Sequence, residues 1–358
     1  MARAIPLTTQ PMVQMKAIRI WTVRMALYVF VRFFVLLADV LPRRGALGFA
    51  NGLAWVELFC TKRGRSAVSE ARLIFGLEGL EAWKFSHQWL GIPYKDLVMF
   101  RRAARGRERP EEWSLEQVNG EAVNALVDAG KPILVAGGHF EYSSMLALAG
   151  LHPELDAGVV MNPIEPFKFD GAILLRRLIN GTMRDLSVRL RPKSSIERLH
   201  VGQTDVQTRL LEVLSRPNGI GMIMVDAWWS KPNAYRRPFA GKRRQPLALG
   251  AARISRLAQC PVVVIAAERT GRKTVRLHYS DLIYPGPEDS AEGDRAMLDQ
   301  MIDRLEVYVG RFRGQFAGFV GWERRWDSST EHWIPLDEPH DGAECRNTCF
   351  KSSRRTGD

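Results

Sequence analysis

Apolar residues fall along this chain in three successive rhythms. The first is a nearly unbroken run inside KAIRIWTVRMALYVFVRFFVLLADVLP, Lys16 to Pro42, strongest from Met25 to Leu41. As a helix it is close to one bilayer thickness long. It carries Arg32 and Asp39, and Arg24, Tyr28 and Arg32 recur at i, i+4 and i+8 on one face. That suits a tilted span with a snorkelling arginine, or a helix lying in the interface. A buried core helix would have to hide Arg32, so membrane attachment is expected. No small-residue cleavage site follows the run, which argues against a removable signal peptide. Basic residues stand on both sides of it, so orientation stays open. Residues 1–15 are mixed in character and expected to be poorly ordered.

The second rhythm is helical. Between Gly45 and Ala104, Leu47, Ala50, Leu53, Ala54 and Leu58 recur at helix intervals, as do Ala82, Phe85 and Trp89. A charged loop, Ala104 to Trp113, ends it. The third rhythm alternates short apolar strands with amphipathic helices. A helix over Glu121 to Ala129 enters a strand at Ile133 to Ala136. Strands are expected at Gly158 to Met161, Leu186 to Leu190, Gly221 to Val225, Val262 to Ala267 and, more exposed, Thr274 to Leu282. Helices are expected at Phe169 to Ile179, after Thr204-Asp205, at Leu247 to Gln259, and from the cap Ser290 to Phe312. Met297, Met301, Leu305 and Tyr308 should face inward. DAWWSKPNAYRRPFAGKRRQP, after Gly221 to Val225, reads as a loop. The series predicts an α/β fold: a largely parallel central sheet flanked by helices, with an N-terminal hydrophobic membrane-anchoring helix. Three regions follow: an anchor segment over 1–44, an α/β domain over 45–327, and a polar, disordered tail over 328–358.

Composition sharpens the picture. The 358 residues carry a formal net charge of +12, with ten Trp and sixteen Phe. An excess of cations with many aromatics favours an anionic membrane surface. No zinc-finger, RNA-binding or basic-zipper pattern supports nucleic acid as a partner. The cysteines, Cys60, Cys260, Cys345 and Cys349, form no disulfide framework. The histidines show no paired metal-ligand spacing, and neither Walker A nor His-Glu-x-x-His is present. No metal or cofactor is expected.

Candidate chemistry centres on ILVAGGHFEYSSMLALAG, Ile133 to Gly150. A strand stops at Gly137-Gly138, and His139 stands at its carboxyl end, where open α/β sheets bind ligands. Two glycines let backbone come close, so His139 is a candidate general base. Farther on, RRPFAGKRR sets Arg236, Arg237, Lys242, Arg243 and Arg244 around Phe239 and Gly241. Such a loop can hold phosphate or the acidic face of a carrier.

The order of motifs is strand-Gly-His-Phe, Arg-x-x-x-Gly at Arg177 to Gly181, and strand-Asp at Asp226. Pro-Phe-x-Gly at Pro238 to Gly241 follows, then Pro246 and Arg253, and finally Trp-x-Arg-Arg-Trp at Trp322 to Trp326. Over roughly residues 20–327 this resembles the bacterial lipid A biosynthesis (lauroyl/myristoyl) acyltransferases of the lysophospholipid acyltransferase superfamily. The resemblance implies an inner-membrane enzyme with its catalytic domain on the cytoplasmic side. It would move a fatty acyl chain from acyl carrier protein or acyl-CoA to a hydroxyl or amine of a lipid or glycolipid acceptor.

One departure stands out. The family pattern is His-x4-Asp/Glu, and the position five beyond His139 is Ser144. Glu141 is the nearest acid and is expected to orient the imidazole, with Ser144 as a weaker neutral substitute. Asp226, counted among the substrate-binding residues with Ser144, Arg177, Arg237, Phe239 and Gly241, is a second candidate partner. HVGQTD, His200 to Asp205, fits His-x4-Asp literally, but no strand is expected before it and Asp205 reads as a helix cap. Without its acid the chain could instead be an inactive family member that binds lipid or acyl carrier in a membrane assembly.

Overall fold

The structure, a computed structural model, describes residues 29–30, 32–109, 112–141, 157–161, 196–200, 204–226, 234–286, 290–316, 324–327 and 329–335. Its centre is a seven-stranded sheet. The strands are β1 (Ser114–Val118), β2 (Ile133–Gly137), β3 (Ala157–Met161), β4 (Ile196–His200), β5 (Ile220–Met224), β8 (Val262–Arg269) and β9 (Thr274–Tyr279). Two more, β6 (Tyr235–Phe239) and β7 (Lys242–Leu247), form a separate hairpin, and β10 (Arg324–Asp327) pairs with β11 (His332–Pro335). The order across the sheet is β1-β9-β8-β2-β5-β3-β4. Strands β8, β2, β5, β3 and β4 run parallel, while β9 is antiparallel to β8 and carries β1 parallel to itself.

The apolar runs are continuous because both faces of the sheet are covered. Leu134, Ala136, Val262, Val264 and Ala266 point to one side, against Leu298, Ile302 and Leu305 of the long helix α7 (Ala291–Arg311) and Ala252 of α6 (Gly250–Ala258). Ile133, Val135, Val263 and Ile265 point to the other, with Met99, Trp113 and Val123 of α4 (Glu121–Asp128). The period-2 alternation of side chains thus builds two cores from one sheet. Ser290 caps α7 by accepting a hydrogen bond from Gly293 N at 2.9 Å, and Met297, Met301, Leu305 and Tyr308 are buried as expected.

Among the described residues, α1 (Arg43–Cys60), α2 (Lys62–Phe75) and α3 (Gly79–Ala104) precede the sheet. Thr61 caps α2 with its hydroxyl, and Gly76 ends it in the left-handed region at φ 61°. Residues 32–40 are helical and lie against α1, with Phe34 and Ala38 beside Ala46 and Ala50. Arg101 of α3 holds Asp39 with both Nε and Nη2. Among the described residues no helix is long and apolar enough to cross a membrane. Residues 1–28 and 31 of the expected anchor segment lie outside the described residues.

The sheet departs from expectation in several places. Strand β1 stands where no strand was expected, because its alternating SLEQV is a half-polar edge. The expected loop after Asp226 contains the β6–β7 hairpin, closed by Ala240 at φ 43° and Gly241 at φ 88°. The ordered body also passes the expected boundary at 327: β11 follows, and Trp333 is buried against the main core. Strand β4 ends at His200, so HVGQTD does follow a strand after all. Asp205 precedes helix α5 (Val206–Leu214) without capping it through its side chain, and instead lies 3.7 Å from Arg209. The elements expected at 169–179 and 186–190 lie outside the described residues.

Candidate active site

Parallel strands β2 and β5 are neighbours and stop together: Gly137 pairs with Met224. Each chain then supplies one side chain to the same carboxyl edge. From β2 comes His139, from β5 Asp226. Asp226 Oδ1 lies 2.7 Å from His139 Nδ1, and Asp226 Oδ2 accepts the His139 backbone N–H at 2.9 Å. One carboxylate therefore fixes both the ring and the main chain of the histidine. Its side chain is 2% exposed, whereas the imidazole is 52% exposed.

The electrostatics follow. A carboxylate at 2.7 Å requires the proton on Nδ1, which leaves the Nε2 lone pair turned away from Asp226. The coulombic attraction of Asp226 raises the imidazole pKa above its ordinary value, against the opposing effect of burial and with help from the hydrogen bond. This is the arrangement of a general base with an orienting acid.

The glycines before His139 have a packing reason. A Cβ on Gly138 would stand 2.9 Å from Leu305 Cδ1 and 3.3 Å from the Phe140 ring, and one on Gly137 would stand 3.1 Å from Met224 Sδ. The strand end is pressed onto α7 and β5. Phe140 bridges to Phe316 and is buried with it, so the residue after His139 is anchored in the core.

Glu141 does not orient the imidazole. Its Oε1 lies 2.7 Å from Lys95 Nζ of α3, and its Oε2 lies 3.2 Å from an Arg269 nitrogen at the end of β8. Its side chain is 3% exposed. Two cations and burial hold it in a bridge from the β2 end to α3 and β8. The acid that the local sequence lacks comes from the adjacent strand.

The other expected site residues divide. Ser144 and Arg177 lie outside the described residues. Arg237 is committed to α7: its Nη1 lies 2.9 Å from Asp299 Oδ1 and its Nη2 2.6 Å from Asp303 Oδ1. Phe239 is buried against Phe316, with ring centroids 6.1 Å apart. Gly241 supplies the positive φ of the hairpin turn. These three shape and anchor the hairpin, a role that loop composition did not reveal. The hairpin is further pinned by Glu306, which accepts from Ala240 N at 2.7 Å and from Arg324 of the Trp-x-Arg-Arg-Trp segment at 2.7 Å.

Lys95 and Arg269 were not anticipated at this edge. Arg269 could have been found as the residue closing the apolar run of β8, by the same reasoning that singled out Asp226. Lys95 carries no such signal, since only helix packing brings it there.

A scan against protein-family models matches none, and a search of curated proteins finds no match. Among solved structures the chain is similar to the crystal structure of the 1-acyl-sn-glycerophosphate (LPA) acyltransferase PlsC from Thermotoga maritima. That likeness covers 72% of this chain and 93% of that one, at 12% identity and a TM-score of 0.32.

Proposed function

We propose that this protein is a membrane-bound acyltransferase that moves a fatty acyl chain from an acyl thioester to a hydroxyl or amine of a lipid or glycolipid acceptor. The observation that carries this reading is the His139–Asp226 pair at adjacent carboxyl ends of parallel strands. Motif order along the sequence supports the reaction class, and the pair supports His139 as its base.

In the proposed reaction His139 Nε2 accepts the proton of the acceptor's hydroxyl or amine. The freed oxygen or nitrogen attacks the thioester carbonyl. The tetrahedral intermediate collapses, the C–S bond breaks, and the leaving thiolate takes the proton back from the imidazolium. The Asp226 carboxylate stabilises the imidazolium, as the acid of a catalytic triad does. The donor is acyl carrier protein or acyl-CoA, and the site of action is the bacterial inner membrane, on its cytoplasmic side.

The test is direct. The full chain, in detergent, is given acyl carrier protein or coenzyme A thioesters with lyso-phospholipid and glycolipid acceptors, and products are read by mass spectrometry. Transfer that disappears in His139→Ala supports the reading. Transfer that survives there removes His139 as the base, and binding of thioester without any turnover by the parent would favour an inactive lipid- or carrier-binding protein.

A further inference from the structure

Strand β8 runs farther than its neighbour. Gly137, the last residue of β2, pairs with Ile265, and β8 continues to Arg269. At Arg269 a single side chain stands where β2 has ended. Gln315 belongs to the 3₁₀ turn Arg313–Gln315 that follows α7. Its Oε1 accepts the Arg269 N–H at 2.6 Å, and its Nε2 donates to the Arg269 carbonyl at 3.2 Å. The amide thus satisfies both main-chain groups of the last residue of β8, as a neighbouring strand would.

The same residue also holds the chain beyond His139. The Gln315 main-chain oxygen accepts the Glu141 N–H at 2.8 Å. The Arg269 side chain closes the circle, with one guanidinium nitrogen 3.2 Å from Glu141 Oε2. Gln315, Glu141 and Arg269 therefore form a ring in which each is bonded to the other two. Both Gln315 links run to main-chain groups, so they survive replacement of the Glu141 side chain. The ring is seated on packed elements. Phe316, the next residue, is buried and bridges to Phe140. A Cβ on Gly314 would stand 3.0 Å from Gln88 Oε1, so the turn presses on α3.

His139 is bracketed as a result. Asp226 fixes its ring and its N–H from β5, on one side of β2. Gln315 ties the following segment, Phe140–Glu141, to β8 on the other side. A base works only when it is held in place, and a misplacement of about 1 Å can cost about a hundredfold in rate.

We propose that Gln315 is a positioning residue for acyl transfer, clamping the exit of β2 to the end of β8 and so keeping His139 in reach of Asp226. The proposal rests on the reading of His139 as the base. Gln315 acts through the main chain of Glu141 and Arg269.

The experiment compares the full chain with its Gln315→Met and Gln315→Glu variants. Methionine keeps the length of the side chain and loses the amide. Glutamate keeps an acceptor for the Arg269 N–H and loses the donor. Transfer kinetics give kcat and KM. The pH dependence of carbethoxylation at His139, read by peptide mass spectrometry, gives the imidazole titration without needing activity. Gln315→Met should lower kcat by about ten- to a hundredfold with KM within about twofold of the parent. It should also move the His139 midpoint down toward the ordinary histidine value, because a loosened imidazole spends less time against the Asp226 carboxylate. Gln315→Glu should fall between, and it carries the comparison if Gln315→Met fails to fold. Parent-like kcat and midpoint in both variants overturn the proposal. Lower stability in denaturant with the His139 midpoint unmoved also overturns it, because Gln315 is then structural only. A parent without any transfer overturns the reaction class instead, and the His139 midpoint then decides the clamp by itself.

Discussion

Asp226 Oδ1 stands 2.7 Å from His139 Nδ1, although 87 residues separate the two in the chain. The pair exists because β2 and β5 are neighbours in the sheet, while β3, β4 and α5 of the described residues lie between them in sequence order. A general base needs its acid close, and nothing requires that acid to be local. Four measurements follow from the structure.

Asp226→Asn should lower the rate of acyl transfer by at least about a hundredfold, since a general base with the wrong tautomer loses most of its ~10²–10⁴-fold contribution. The pH dependence carries the sign. His139 is a base only when neutral, and Asp226 raises its pKa above the ordinary histidine value. The parent's rate should therefore rise with pH through a midpoint above the ordinary histidine value. Removing the negative charge lowers the pKa, so the acidic limb of Asp226→Asn should move to lower pH. A limb that stays in place would show that Asp226 does not govern the imidazole.

Glu141→Gln should behave differently. It leaves Lys95 and Arg269 without the carboxylate that bridges them, and Lys95 is buried. Breaking a buried pair costs about 3–5 kcal/mol, and the partial exposure of Arg269 puts this case at or below the lower end. Denaturant unfolding should register that loss, whereas the acidic limb of the rate profile should keep its position. Equal displacement of the limb in Glu141→Gln and Asp226→Asn would contradict the division of roles drawn from the geometry.

Gly138→Ala probes the contact between the base's strand and α7. The added methyl would press on Leu305 Cδ1 at 2.9 Å and on the Phe140 ring at 3.3 Å. Overpacking of this sort costs about 1–3 kcal/mol, and it displaces the residue that precedes His139. Transfer activity should fall together with stability, and Leu305→Val in the same chain should return part of both. Full activity in Gly138→Ala alone would mean that the strand end is less constrained than its packing indicates.

Glu70 offers a stability test away from the site. It is buried between α2 and α3 beside Phe75, Phe85 and Trp89, and burial pushes its pKa up to about 7, against the pull of Lys242 and Arg63. The folded protein therefore holds a proton that the unfolded chain releases at lower pH. Stability contributed by that proton is present below the unfolded pKa near 4.5 and is lost as pH rises through about 7. Glu70→Gln should be neutral near pH 4 and stabilising by about 2–3 kcal/mol at pH 8. Identical unfolding midpoints for variant and parent at pH 8 would contradict it.

The α/β class, the two-faced burial of the sheet and the position of His139 were all legible along the chain. Each rests on local rules: apolar runs of strand length, helix periodicity, and a histidine after a strand and two glycines. Ser290 and its four inward side chains on α7 were legible for the same reason. The half-polar β1 and the hairpin β6–β7 were not, because basic and alternating segments look like loops until a partner strand is known.

Residue chemistry and periodicity therefore pointed to His139 as a candidate base and to the sheet it stands on. Tertiary structure chose the carboxylate beside it. Glu141 is near His139 in sequence but is drawn into an ion bridge with Lys95 and Arg269, while Asp226 reaches the ring from the adjoining strand. Packing of the separate hairpin β6–β7 on α7 likewise sets Arg237 against Asp299 and Phe239 against Phe316, contacts that no local rule reveals. The physical reason is that sequence rules see neighbours a few residues apart, whereas the parallel sheet and the helices packed on it bring together residues far apart in the chain.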